Sequence, residues 1–97
     1  MEEIKVIGTA SEMSNLVGMY AVNVVNEKIH HMVKVIGKAD NQYFICQFIS
    51  PLTGEPNVSK LITLDQLKDW YVIHTYELFS QITKDSYKYG WRYGVKL

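Results

Sequence analysis

Cysteine and proline are scarce in this 97-residue sequence: Cys46 stands alone, and Pro51 and Pro56 are the two prolines. A single thiol excludes an internal disulfide framework and a cysteine-based zinc site, and it favours a reducing compartment. Long apolar runs are missing too. The stretch from Leu16 to Val22 is broken by Gly18 and stops at Asn23, far short of the ~20 residues of a membrane span. The opening MEEIKVIG places two acids where a secretory leader needs cations ahead of an apolar segment. Net charge of either sign is absent, since ten Lys and Arg balance ten Asp and Glu. No global field therefore points to nucleic acid or to an acidic membrane. These absences predict a soluble, cytoplasmic, single-domain protein spanning 1–97.

Catalytic signatures are lacking as well. There is no G-x-S-x-G elbow, no glycine loop that cradles phosphate and no HExxH helix. Cys46 lies inside YFICQFI, where burial raises a thiol's pKa and suppresses its reactivity. A chain this small has little room for the ~300 Å³ pocket of an enzyme. His30 and His31 are neighbours in a strand pattern, so their side chains are expected on opposite faces, unable to share one ion. His74 would need a further ligand from elsewhere. The expectation is a protein that is not an enzyme, with no metal site and no cofactor.

What is present is strand texture. MYAVNVV, IHHMVKVI, YFICQFI, VSKLIT and WYVI are five runs rich in β-branched and aromatic residues, with turn chemistry between them. Asn26 to Lys28 reads as a tight hairpin, Gly37 to Gln42 as a longer one, and Ser50 to Asn57 as an exposed loop. Ahead of the strands, Thr9 and Glu12 form a capping pattern, and Met13, Leu16, Val17 and Tyr20 recur at helical spacing, predicting a short N-terminal helix. In TLDQLKDW, Thr63 and Gln66 repeat the capping pattern before a single helical turn. Over 75–86, Tyr76, Phe79, Ile82 and Thr83 share one side, which predicts an amphipathic helix.

Five short strands with one helical turn between the fourth and fifth resemble the SH3-like barrel shared by SH3, Tudor and KOW modules. The resemblance covers 19–73 and rests on element order, above all in YFICQFISPLTGEPNVSKLITLDQLKDWYVI. It implies a mainly β (α+β) fold: a small antiparallel barrel with a short N-terminal helix, a C-terminal helix and a terminal strand. The acidic loop and paired tryptophans of an SH3 peptide groove do not occur, and fold resemblance alone assigns no function.

The chain closes on SYKYGWRYGVKL, which alternates cleanly at period two. As a strand over 87–96, Tyr87, Tyr89, Trp91, Tyr93 and Val95 face one way, and Lys88, Arg92 and Lys96 the other. One reading has these rings complete the core with the cations outward. A second makes Tyr89, Trp91, Arg92 and Tyr93 a protein-binding patch, rimmed by the loop from Pro51 to Pro56, because Tyr, Trp and Arg dominate interface hot spots. A third uses Lys84, Lys88, Arg92 and Lys96 to follow a phosphate backbone while rings stack on bases. A flat strand separates rings from cations, which weakens the third. The expectation is a small binding module acting on another protein, as regulator or inhibitor, or on a second copy of itself through a strand edge. Nucleic acid is the alternative. Compact chains of this kind are common among phage and mobile-element regulators, an association that no residue here establishes.

Overall fold

The computed structural model describes residues 8–12, 15–50 and 53–93. Strand β1 (Gly8–Thr9) leads into a 3₁₀ turn (Ala10–Glu12). Four longer strands follow: β2 (Tyr20–Val25), β3 (Lys28–Lys38), β4 (Tyr43–Ile49) and β5 (Pro56–Thr63). The helical turn α1 (Leu64–Leu67), the short strand β6 (Tyr71–Ile73) and the helix α2 (Tyr76–Tyr89) come last. All six strands join one antiparallel sheet in the order β1-β6-β2-β3-β4-β5.

Local chemistry explains most of these boundaries. The β2–β3 hairpin turns through Asn26 and Glu27, both at positive φ (53° and 65°), the sign that a twist-matched two-residue turn requires. Asn tolerates that conformation; Glu does so at a cost of about 1–2 kcal/mol. The capping box before α1 forms as the sequence predicts: Gln66 N–H donates to Thr63 Oγ1, and Thr63 N–H donates to Gln66 Oε1, each at 3.1 Å. Thr75 caps α2 by accepting from the Leu78 amide at 3.2 Å.

Three expectations need correction. Where an N-terminal helix is expected, the described residues show only the 3₁₀ turn Ala10–Glu12, and Met13 lies outside them. From Asn15 onward the chain turns instead: Asn15 Oδ1 accepts from the Val17 amide at 3.1 Å, and Gly18 sits at φ 92°. Such a side-chain-to-backbone bond competes with helix. Gly18 N–H then donates to the Val35 carbonyl, and Val35 N–H to the Met19 carbonyl, tying this segment to β3. Tyr20 consequently opens β2 rather than ending a helical face.

The barrel, second, is not closed by strand pairing. The sheet ends at β1 and β5, and no ladder joins these edges among the described residues. The chain from α1 to Trp70 bridges that gap instead. Ala10 and Ser11 donate to the Trp70 and Lys68 carbonyls at 2.9 and 3.1 Å, and Leu64 donates to the Gln42 carbonyl at 2.8 Å. Third, no terminal strand forms among the described residues, and Gly94 to Lys96 lie outside them. Tyr87, Lys88 and Tyr89 make the last turn of α2, and residues 90–93 run on without strand pairing. The buried series Phe79, Ile82, Thr83 and Ser86 carries the helical period past residue 86, and Gly90 at φ 86° stops it. Period two in the tail was the weaker of two overlapping patterns.

Two apolar clusters follow from strand alternation. Ala21, Val33, Val35, Phe44, Cys46, Ile62 and Val72 face inward, capped by Leu16, Leu67 and Trp70. On the other face Tyr20, Val22, Met32, Ile49 and Ile73 receive Phe79 and Ile82 of α2. The sheet is thus buried on its inner face and roofed on only part of its outer face.

Candidate functional site

The tail folds back onto the domain. The Trp91 amide donates to the Glu27 carbonyl at 2.7 Å. The Trp91 ring stacks on Tyr71 at 5.0 Å and meets Tyr93 edge-on at 5.7 Å, both packed against the outer cluster. Arg92 grips Asp85 with two hydrogen bonds, Nε at 2.9 Å and Nη2 at 2.7 Å, and the Tyr93 hydroxyl donates to the same carboxylate at 2.7 Å. These donors hold the Asp85 carboxyl below its ordinary pKa, the Arg92 bonds contributing most. Trp91 and Tyr93 therefore serve packing first.

Other predicted residues are more available. Tyr89 is 62% exposed, with Arg92 and Lys88 over its ring at 5.1 and 5.3 Å. Lys84, Tyr87 and Lys88 fall at i, i+3 and i+4 on α2, hence on neighbouring surface. A helix places cations and rings together where a strand would have parted them. Pro56 opens β5 at an exposed position. Pro51 and Lys96 lie outside the described residues.

The structure brings forward two features that the sequence did not single out. The first is the uncovered half of the outer sheet face. Helix α2 packs on β3 and β6 and meets β4 at Ile49, so among the described residues the outer side of β5 and of β4 ahead of Ile49 lies beyond the helix. There Ile45 lies opposite Leu61, and Tyr43 opposite Thr63. Leu61 is 59% exposed although its neighbour Ile62 is buried in the core. Strand β5 is also the terminal strand of the sheet, so its second edge pairs with no strand among the described residues. Lys60, on the inner side, sets its ammonium over the Phe48 ring at 5.5 Å.

The second is a bulge. Asn23 pairs with His31 and Val24 with Ile29, so His30 is an extra residue in β3. Bulging re-aims side chains, and the two imidazoles stand 4.4 Å apart, which corrects the expectation that they diverge. A pocket of about 300 Å³ opens beside them, lined by His30, His31, Phe48, Asn57, Lys60 and Tyr87 among others, with no carboxylate among the described lining residues. Burial, the neighbouring His30 and Lys60 all lower the His31 pKa, burial most. An adjoining pocket of about 340 Å³ runs along α2, shares Met32, Ser50 and Tyr87, and adds Tyr76 and Lys84. A shallower groove of about 730 Å³ lies between Ala10 and α1, carrying both Asp65 and Lys68. Pocket space thus exceeds what the chain length suggested, because the sheet stays open and α2 covers it only in part. Among the described residues no three His, Cys, Asp or Glu side chains converge as a metal site would need. No described helix is long and apolar enough to cross a membrane.

Comparison with protein-family models, with curated proteins and with solved structures gave no match. The functional reading rests on the geometry.

Proposed function

We propose that this protein is a non-enzymatic binding module that recognises an extended segment of another protein along β5. The observation that carries the reading is the edge of β5, unpaired among the described residues, with Leu61 exposed on its outer side opposite Ile45. An edge strand offers unpaired backbone donors and acceptors, and a peptide added there gains specificity from alternate side chains. The order β6-β2-β3-β4-β5, with a helical turn between β5 and β6, supports the SH3-like resemblance and hence a barrel-type scaffold. Lys60 is the one charged residue of β5. Self-pairing would set two such cationic strands side by side, whereas an apolar and acidic segment answers both Leu61 and Lys60. Pro56 marks the rim of the surface, since it has no N–H to offer at the start of the strand.

Peptides selected from a random display library on the intact protein test this. The selected sequences should alternate apolar and acidic residues, and Leu61→Asp should weaken them at least tenfold without lowering the melting temperature by more than a few degrees. Selected peptides indifferent to Leu61→Asp, or a stable dimer in sedimentation with β5 at its interface, would overturn the reading.

A second reading draws on α2. Because Lys84, Tyr87 and Lys88 share a face, with Arg92 close to Tyr89, cations and rings are reachable together by single-stranded nucleic acid. Binding that weakens steeply with salt and disappears in Lys88→Glu/Arg92→Glu would favour it. No binding at low salt would remove it.

A further inference from the structure

We infer that the two adjoining pockets between the β3 bulge and α2 accept about two nucleotides of a single-stranded nucleic acid, with a phosphate held beside His30, His31 and Lys60. This rests on the second reading above and names its site. Four groups that carry or can carry positive charge line the two pockets: His30, His31, Lys60 and Lys84. Among the described residues no Asp or Glu lines either pocket. The balance of the whole chain is neutral, so this cationic lining is a local segregation of charge. Flat rings accompany it. His31 meets Phe48 edge-on at 5.7 Å, and Tyr87, half exposed, stands where the two pockets join. Asn57 adds amide donors and acceptors to the lining.

Metal binding fits the pair less well. Two imidazoles supply only two ligands, and the Lys60 ammonium beside them repels a cation. An anion reverses every one of these terms. Burial, with His30 and Lys60 alongside, makes His31 resist protonation, and a phosphate placed among these groups relieves that resistance. Binding then takes up a proton, so affinity rises as pH falls. The titratable groups facing the imidazoles are Lys60 from β5 and Tyr87 from α2; Phe48 and Ile49 of β4 bring none.

Fluorescence anisotropy with a labelled dT8 oligonucleotide on the full chain tests the inference at pH 6.0 and 7.5, low salt. Uptake of one proton predicts roughly five- to tenfold tighter binding at the lower pH. His30→Gln/His31→Gln should abolish that pH dependence, and Lys60→Gln should weaken binding at both values. Imidazole chemical shifts of the wild-type protein titrated with dT8 give the same answer should the double variant fail to fold: downfield protonation shifts support the site, unmoved imidazoles overturn it. Adenosine monophosphate binding as tightly as dT8 would overturn the two-nucleotide extent. Salt-sensitive binding with no pH dependence and no loss in Lys60→Gln would keep the nucleic-acid reading and discard this site. Absence of binding at low salt would discard both.

Discussion

The Glu27 carbonyl accepts the Trp91 amide at 2.7 Å, joining the strained tip of the β2–β3 hairpin to the residue after the Gly90 stop. This one bond links a turn at the start of the sheet to the end of the described chain. It explains why residues 90–93 follow a fixed course without strand or helix. The indole is then held by Tyr71 below and Tyr93 beside it.

Trp91→Ala is expected to destabilise the fold rather than leave a folded protein that has lost a contact surface. A half-buried indole predicts a loss of about 2–3 kcal/mol, below the range for full burial. Urea unfolding followed by circular dichroism measures it. A loss below about 0.5 kcal/mol, the scale of a surface substitution, would show that the rings are contact surface and not packing.

Gly90→Ala is expected to cost about 1–3 kcal/mol, because the extended backbone at φ 86° and ψ 167° is one that L-residues rarely adopt. A Cβ there would also stand 3.6 Å from the Glu27 carbonyl oxygen, which is ordinary contact. The backbone conformation is therefore the cause. Glu27→Gly should act in the opposite sense and stabilise the hairpin by up to about 1 kcal/mol. Thermal melting of both variants reads the two signs.

Acid should loosen the tail through Asp85. Its folded pKa is depressed below the ordinary 3.8 by the Arg92 and Tyr93 bonds. Such a group contributes stability that is present above the unfolded value and is lost as pH falls through the folded one. Trp91 fluorescence should accordingly hold steady down to about pH 4 and change below it. Asp85→Asn should show the low-pH signal at neutral pH and lose the acid transition.

Cys46 should be inert in the native state. Burial pushes its thiol up to about 11, so little thiolate exists at pH 8. Iodoacetamide should modify it slowly in the folded protein and rapidly in urea. Fast native modification would mean that the inner cluster opens easily.

Legibility in the sequence followed the strength of local signals. The five strands, the Thr63–Gln66 box and the Thr75 helix were readable because β-branched runs and capping residues act over three or four positions. The tail was misread because its alternating rings imitate a strand, while the Gly90 stop and the Ser86 packing position speak only once the partner surface is known. The imidazole pair could not be read at all: a bulge depends on the register between β2 and β3, and register is a property of two segments. Leu61 was equally silent. Whether an apolar strand residue is covered depends on where α2 lies, and α2 reaches β4 at Ile49 but not Leu61 of β5.

Amide hydrogen exchange across β5, with and without a peptide selected on the intact protein, tests the central claim most directly. Peptide pairing along the free edge predicts slowed exchange between residues 57 and 62, absent in Leu61→Asp. Slowing confined to α2 and the 90–93 segment, with β5 unchanged, would contradict it.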